Sequence, residues 1–239
     1  MKHNACIISF FMDNIDRKTV DYQKAIVQKY NKNNYPHYIM KTASPHGVSI
    51  DYFWTVNGVE VHTLANKGIK QKVDHDIVFM LDIDAIPLHE DAFDVYIEEA
   101  AKGKIIGNAQ RTNHIQNNQH VFAAPSASAI SRETFIKIGA PSALETARSD
   151  VLEEYTWNAE ACGVSVDLVM PLRYDRPPMR YAWEDDTVPY WPLADGMPVC
   201  GLGTTYGRDG KDLFYHNFQI RMPGQEHFFW EKCESVLNG

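Results

Sequence analysis

The sequence predicts an α/β protein: an open, doubly wound sheet that binds its ligands at the carboxyl ends of its strands. Three observations predict it. Wholly apolar runs of strand length stand at Ala5–Phe11 and Ile77–Leu81, as expected of strands buried on both faces of a parallel sheet. Segments of helical pattern fall between such runs, so the first half reads β, α, β, α, β. The chain has 239 residues, 44% of them hydrophobic, which suffices for one sizeable core and predicts a single domain over residues 1–239.

Taken in order, Ala5–Phe11 (ACIISFF) is the first strand. The segment Arg17 to Tyr30 spaces Val20, Ala25, Ile26 and Val27 among charged residues, a helical pattern for which Asp16 supplies the cap. Tyr35 to Lys41 reads as the second strand, Gly58 to Lys72 as a helix despite Gly68, and Ile77–Leu81 (IVFML) as the third strand. A helix over Asp91 to Lys102, a strand over Lys104 to Asn108 and a polar loop over Gln110 to Gln119 follow. His120 to Ala124 reads as a strand and Arg132 to Ile138 as a helix. Asp150 to Cys162 reads as a further helix, with Asp150 as cap and Glu153 at the capping-box position. Val164 to Met170 reads as a strand, and Pro171 to Pro198, rich in proline and aromatics, as an irregular loop or lid. The segment Gly201 to Gly210 (GLGTTYGRDG) lacks the GxxxxGK[ST] pattern of a phosphate loop and reads as a flexible turn.

Bulk properties exclude several classes. Net charge is −8 with acidic residues dispersed along the chain, which excludes the basic stripe of a nucleic-acid binder. Cys6, Cys162, Cys200 and Cys233 are too widely spaced for a zinc motif and fit free thiols in a reducing compartment. The N-terminal residues carry no signal-peptide pattern, and no run approaches the roughly 20 apolar residues of a membrane span. The expectation is a soluble, cytoplasmic protein with no transmembrane segment.

Chemistry concentrates at Asp82 and Asp84, which follow IVFML directly. Residues i and i+2 share one face of an extended strand, so both carboxylates can converge on one oxygen-seeking cation, magnesium or manganese. An acidic triplet alone is more often a solvated turn. Placement at the end of a buried strand favours a site, because open α/β sheets bind ligands there. Downstream, LFYHNF carries His216 after an apolar triplet; by itself it reads as a hydrogen-bonded histidine on a half-buried strand, and beside the aspartates its imidazole is an acceptable further ligand for manganese.

In FMLDIDAIPL and in the downstream His216, the sequence resembles the GT-A family of glycosyltransferases, whose DxD motif ends a central strand in the same way. The resemblance implies a GT-A-like, Rossmann-like mixed sheet flanked by helices. It also implies transfer of a sugar from a nucleotide-sugar donor, UDP-linked, to an acceptor hydroxyl of a carbohydrate or glycoconjugate, with inversion. Residues 1 to about 90 would bind the nucleotide, and about 91–239 would hold the acceptor and the catalytic residues. Carried over residue by residue, Asp84 is the direct metal ligand, Asp82 the auxiliary one that also reaches the ribose, and His216 the third. Ser9, Phe10 and Phe11 are placed to contact the base, although the two phenylalanines suit a core equally. Lys67 and Lys70 are placed to reach the diphosphate, or are exposed helix lysines. Inversion needs a general base; Asp150 is the first candidate and Glu153 the second, with Glu154 nearby, and both leading candidates also suit a helix cap. The polar run Asn108 to His120 and the stretch Tyr181 to Trp191, with Trp183 and Trp191, could contact sugars or simply pack.

Three other readings share these features. A HAD-type phosphotransferase also follows a strand with DxD, but in its first strand. A nucleotidyltransferase would carry a glycine- and arginine-rich loop after strand one, and FFMDNIDR contains no glycine. A non-catalytic sugar-binding protein would keep the fold without turnover.

Overall fold

The computed structural model describes residues 3–42, 50–55, 58–63, 70–73, 75–112, 120–143, 145–175, 203–218, 220–221 and 224–239. Along the chain these form β1 (Ala5–Met12), α1 (Arg17–Tyr30), β2 (His37–Thr42), β3 (Ile50–Thr55), β4 (Gly58–Thr63), β5 (Lys70–Val73), β6 (Ile77–Met80) and β7 (Ala85–Pro87). They continue with α2 (Ala92–Ala101), β8 (Ile105–Arg111), β9 (Val121–Ser131), α3 (Arg132–Lys137), α4 (Glu153–Ala161), β10 (Val166–Val169), β11 (Pro171–Tyr174), β12 (Thr204–Arg208), β13 (Lys211–His216) and α5 (Gln225–Asn238). The expected mixed sheet is present, in the order β10-β8-β9-β6-β1-β2. β2, β1 and β6 run parallel, as do β8 and β10, and β9 runs antiparallel to both β6 and β8.

Period-two alternation along β1 and β6 divides the interior into two cores. Ala5, Ile7, Ile77 and Phe79 face one side, where α2 contributes Ala92, Phe93, Tyr96 and Ile97. Cys6, Ile8, Val78 and Met80 face the other, against Phe135 of α3 and Tyr155 and Ala159 of α4. Helices therefore cover both faces, as the apolar runs require. A second sheet, β11-β12-β13-β7, closes the first core through Tyr206, Leu213 and Phe214. Phe79 is the hub of this joint: its ring centroid lies 5.0 Å from that of Phe93, 5.4 Å from Tyr96 and 5.3 Å from Phe214. Tyr96 adds a buried hydrogen bond to Asn108 Oδ1, which satisfies its hydroxyl.

The structure corrects several sequence expectations. The described residues of the segment Gly58 to Lys72 form no helix: β4 and β5 belong instead to a three-stranded antiparallel sheet, β3-β4-β5. Val59 and Val61 alternate with Glu60 and His62, a period-two pattern that outweighs the helical reading, and β4 pairs with β3 through Thr55↔Gly58. Within the segment Gly201 to Gly210, expected as a flexible turn, Thr204–Arg208 is strand β12. Asp209 and Gly210 turn, with φ of 53° and 74°, between the paired residues Arg208 and Lys211. Positive φ at both central residues is what a two-residue hairpin demands and what Asp-Gly tolerates. The strand expected over His120 to Ala124 continues to Ser131, because β9 pairs first with β8 and then with β6 across a register shift. Gln110 and Arg111, expected in a loop, end β8 and are buried. Pro171–Tyr174, expected to open a loop, is an edge strand on β12.

Phe79→Ala should lower stability by about 3–5 kcal/mol. Equilibrium urea unfolding checks this, and a loss under about 1 kcal/mol would show that the joint between the sheets does not depend on this ring.

Candidate metal centre

β6 ends at Met80, and the chain turns sharply before β7 begins at Ala85. Asp82 and Asp84 sit in that turn rather than on an extended strand. The turn closes with the Ala85 amide donating to the Asp82 carbonyl at 3.0 Å. Three further bonds fix it. Buried Gln23 of α1 donates its side-chain amide to the carbonyls of Asp82 and Ala85, and the Asp82 amide donates to the Pro125 carbonyl of β9 at 3.1 Å. The convergence foreseen for a strand face is thus produced by a tight turn that carries the chain from one sheet to the other.

His216, 132 positions beyond Asp84 by subtraction of their numbers, arrives through the antiparallel ladder of β13 on β7. Its register is Phe214↔Pro87, Tyr215↔Ile86 and His216↔Ala85. The Asn217 amide then donates to the Asp84 carbonyl at 2.9 Å. His216 Nε2 comes to 3.4 Å from Asp84 Oδ1, and ligand atoms of Asp82, Asp84 and His216 all lie within 4.8 Å of one another.

The electrostatics are unequal. Enclosure by protein, then the neighbouring charges of Asp84 and Asp150, push the Asp82 carboxyl up to about 7, against the opposing pull of His216 and Arg221. Burial works against the charge on Asp84 too, but His216 and a hydrogen bond from the Ile220 backbone outweigh it and leave its pKa lowered. Burial opposes charge on His216, and Asp84 reverses that and raises its pKa. Buried Nδ1 of His216 has no hydrogen-bond partner among the described residues. A half-buried carboxylate, a buried one and an imidazole with an unpartnered ring nitrogen form a donor set suited to a divalent cation.

The remaining predicted residues scatter around this centre. Ser9 is wholly buried, its hydroxyl 2.9 Å from His37 Nε2 on the neighbouring strand. Phe10 and Phe11 are partly exposed toward the end of β1. Beyond that end, a polar cavity of about 300 Å³ is lined by Asp13, Asn14, Asp16, Thr19, Arg221 and Glu226 among others. Lys70 begins β5. Lys67 and the stretch Tyr181 to Trp191 lie outside the described residues, as do residues 113–119 of the polar run.

The expected helix over Asp150 to Cys162 starts later, at Glu153. Asp150 stands in the approach to α4, partly exposed, with Oδ1 accepting from the Val151 amide at 2.7 Å. Glu153 is wholly buried: Oε2 accepts from the Asp150 amide at 2.7 Å, and Oε1 lies 2.6 Å from His120 Nδ1. Glu154 is engaged by the Arg148 guanidinium.

Sequence reasoning missed Gln23, His120 and Arg221. Gln23 had a signal, since it lies on the same 3–4-spaced stripe as Thr19, Val20, Ile26 and Val27, all buried; a polar residue on an apolar stripe needs an internal partner. Arg221 and His120 had none, because turns and strand pairing bring them in.

No protein-family model matches the sequence, and no curated protein matches it as a relative. Among solved structures, the chain is similar to the catalytic domain of Drosophila β1,4-galactosyltransferase 7 in complex with xylobiose, at 14% identity and a TM-score of 0.37, over 73% of this chain and 67% of that one. It is similar also to a mutant of the same Drosophila enzyme in complex with manganese, UDP-Gal and xylobiose, at 12% identity and a TM-score of 0.36, over 71% of this chain and 66% of that one. About a third of each neighbour lies outside the match. No helix among the described residues is long and apolar enough to cross a membrane.

Two outcomes follow from the geometry. Gln23→Leu should weaken manganese binding about 10- to 100-fold, as loss of outer-shell support does, and calorimetric titration of the metal checks it. In the metal-free protein, the folded Asp82 carboxyl keeps its proton up to about 7, whereas its ordinary value is 3.8. Between those pH values the folded state holds more protons than the unfolded one, so stability falls as pH rises. Relative to Asp82→Asn, the wild type should therefore lose stability from pH 4 to pH 7, read by urea midpoints. An unchanged difference across that window would place Asp82 in an ordinary solvated environment.

Proposed function

We propose that the protein is a divalent-metal-dependent glycosyltransferase that moves a sugar from a nucleotide-diphosphate sugar, UDP-linked, to an acceptor hydroxyl with inversion. The observation that carries this reading is the convergence of Asp82, Asp84 and His216 at the carboxyl end of β6, the edge at which an open α/β sheet presents ligands. The resemblance in FMLDIDAIPL points the same way. Asp84 and His216 would hold manganese or magnesium directly, and Asp82 would assist and reach the ribose. When bound, the cation neutralises the diphosphate and the charge that develops on it as the sugar departs.

The chain's own residues supply the rest. Residues up to about 90 take the donor: the nucleotide lies past the end of β1, beside Phe10 and Phe11 and toward the polar cavity, with Lys67 proposed for the diphosphate. Ser9 supports that strand end from within through His37. The part beyond residue 90 receives a carbohydrate or glycoconjugate acceptor and supplies the base, and it returns His216 to the donor side. Asp150 removes the proton from the acceptor hydroxyl as that oxygen attacks the anomeric carbon and the bond to the diphosphate oxygen breaks. Its partial exposure and its electrostatic reach to Asp82 support it over Glu153, whose carboxylate is enclosed and already bonded at both oxygens.

The deciding experiment is calorimetric titration of a nucleotide-sugar panel with and without manganese. Binding of one donor that requires manganese is expected, and Asp84→Ala should abolish it. Asp150→Ala should leave that binding intact while transfer falls about 10²- to 10⁴-fold. Binding that ignores the metal, or no binding to any donor, would sink the assignment.

A further inference from the structure

We propose that Glu153 and His120 form a positioning pair for Asp150, fixing the backbone from which its carboxylate projects; this rests on Asp150 being the base of the transfer proposed above. The local backbone calls for such a device. The residue that opens α4 is Leu152, whose φ is 68° and whose side chain makes no capping bond. A branched, non-glycine residue in the left-handed region is strained and persists only where its surroundings hold it.

The holding contacts converge on Glu153. Its Oε2 accepts from the Asp150 amide, and its own amide donates to the Asp150 carbonyl at 3.1 Å, which closes residues 150–153 into a loop. Leu152, itself buried, anchors the loop by donating to the Ala143 carbonyl at 2.9 Å. A helix cap needs no more than this, and caps ordinarily stand in solvent. Here the carboxylate is 0% exposed, a costly placement that demands a partner, and His120 Nδ1 at 2.6 Å provides one. The imidazole is in turn clamped by stacking on Trp157, one helical turn beyond Glu153, with centroids 3.7 Å apart and planes 17° from parallel.

The same stretch of chain links this device to the metal centre. His120 leads into β9. Three residues on, the Ala123 amide donates to Thr156 Oγ1 in the first turns of α4, and two residues further the Pro125 carbonyl receives the Asp82 amide. Asp150 and Asp82 are therefore referenced to one short segment of β9. Displacement of a catalytic group by about 1 Å costs on the order of 10²-fold in rate, so a rigid reference of this kind matters to a base standing on a loop.

The test compares Glu153→Ala, Glu153→Gln and His120→Phe, the last keeping the stacking while losing the bond. Transfer kinetics are measured on the wild-type and Asp150→Ala backgrounds, together with manganese-dependent donor binding and amide hydrogen exchange across residues 146–152. Glu153→Ala should lower kcat about 10- to 100-fold with donor KM within about twofold of wild type, and should speed exchange across 146–152. Glu153→Gln, which can still accept from the Asp150 amide, should recover most of the loss, and His120→Phe should shift in the same direction as Glu153→Ala. On the Asp150→Ala background, Glu153→Ala should add no further loss, as expected of a residue that acts through another. The proposal is overturned by a full multiplicative loss on that background, by unaltered exchange at 146–152, or by Glu153→Gln being as inactive as Asp150→Ala, which would make Glu153 the base. A wild type that binds no donor with manganese overturns the transferase reading instead, and the exchange measurement still decides whether Glu153 fixes the Asp150 loop.

Discussion

The turn between Met80 and Ala85 sets two carboxylates within 4.8 Å of each other and of an imidazole. Like charges about 4 Å apart repel by about 4 kcal/mol at an effective dielectric of about 20. The chain will not adopt such a turn unless something else enforces it. Gln23 from α1 holds two of its carbonyls, Pro125 of β9 receives an amide, and Asn217 after β13 bonds the Asp84 carbonyl. Three distant stretches of chain hold this one turn. The same turn moves the chain from the six-stranded sheet to the four-stranded one, so fold and site share one junction.

That junction explains why the packing is arranged as it is. β7 has only three residues, too few to stand alone, and it is held by β13 on one side and by the aromatic joint around Phe79 and Phe214 beneath. β13 in turn is fixed by the Asp209-Gly210 hairpin to β12. The register that packs Phe214 into the core is the register that sets His216 across from Ala85. A slip of one residue would turn every side chain of β13 to the opposite face, exchanging the buried phenylalanine and the histidine's role together. Core packing thereby specifies the metal centre.

Legibility in the sequence followed the range of the interactions. β1, α1 and β6 were readable because an apolar run or a capped amphipathic stripe is a local pattern, and Asp16 caps α1 as read, accepting from the Lys18 amide. Asp82 and Asp84 were readable from their place after IVFML, although the geometry that unites them is a turn and not a strand face. The three-stranded sheet β3-β4-β5 runs against the helix expected over Gly58 to Lys72, since charged residues interrupting a short apolar alternation satisfy both periods. Residues that act through strand pairing or helix starts, such as His120 and the buried half of the Glu153 contact, leave no local trace. Glu153 illustrates the limit well: its capping-box spacing was legible, but its complete burial against a histidine 33 positions earlier was not.

The opposite shifts of the two aspartates carry a consequence for order of events. Asp84 keeps its charge through His216, whereas Asp82, pushed up to about 7 by enclosure and by Asp84 itself, is only partly ionised at neutral pH. With a divalent cation present, both carboxylates can be charged at once, because the added positive charge removes the penalty each imposes on the other. On the proposed function, a diphosphate approaching this edge meets two carboxylates, with Asp150 also within electrostatic reach, in a protein of net charge −8. Arg221 is a cation that acts on Asp82 from the segment after β13, and one exposed guanidinium does not offset that field. On that reading donor binding would follow or accompany the cation, and metal dependence would come from the electrostatics of the turn as well as from the chemistry of transfer.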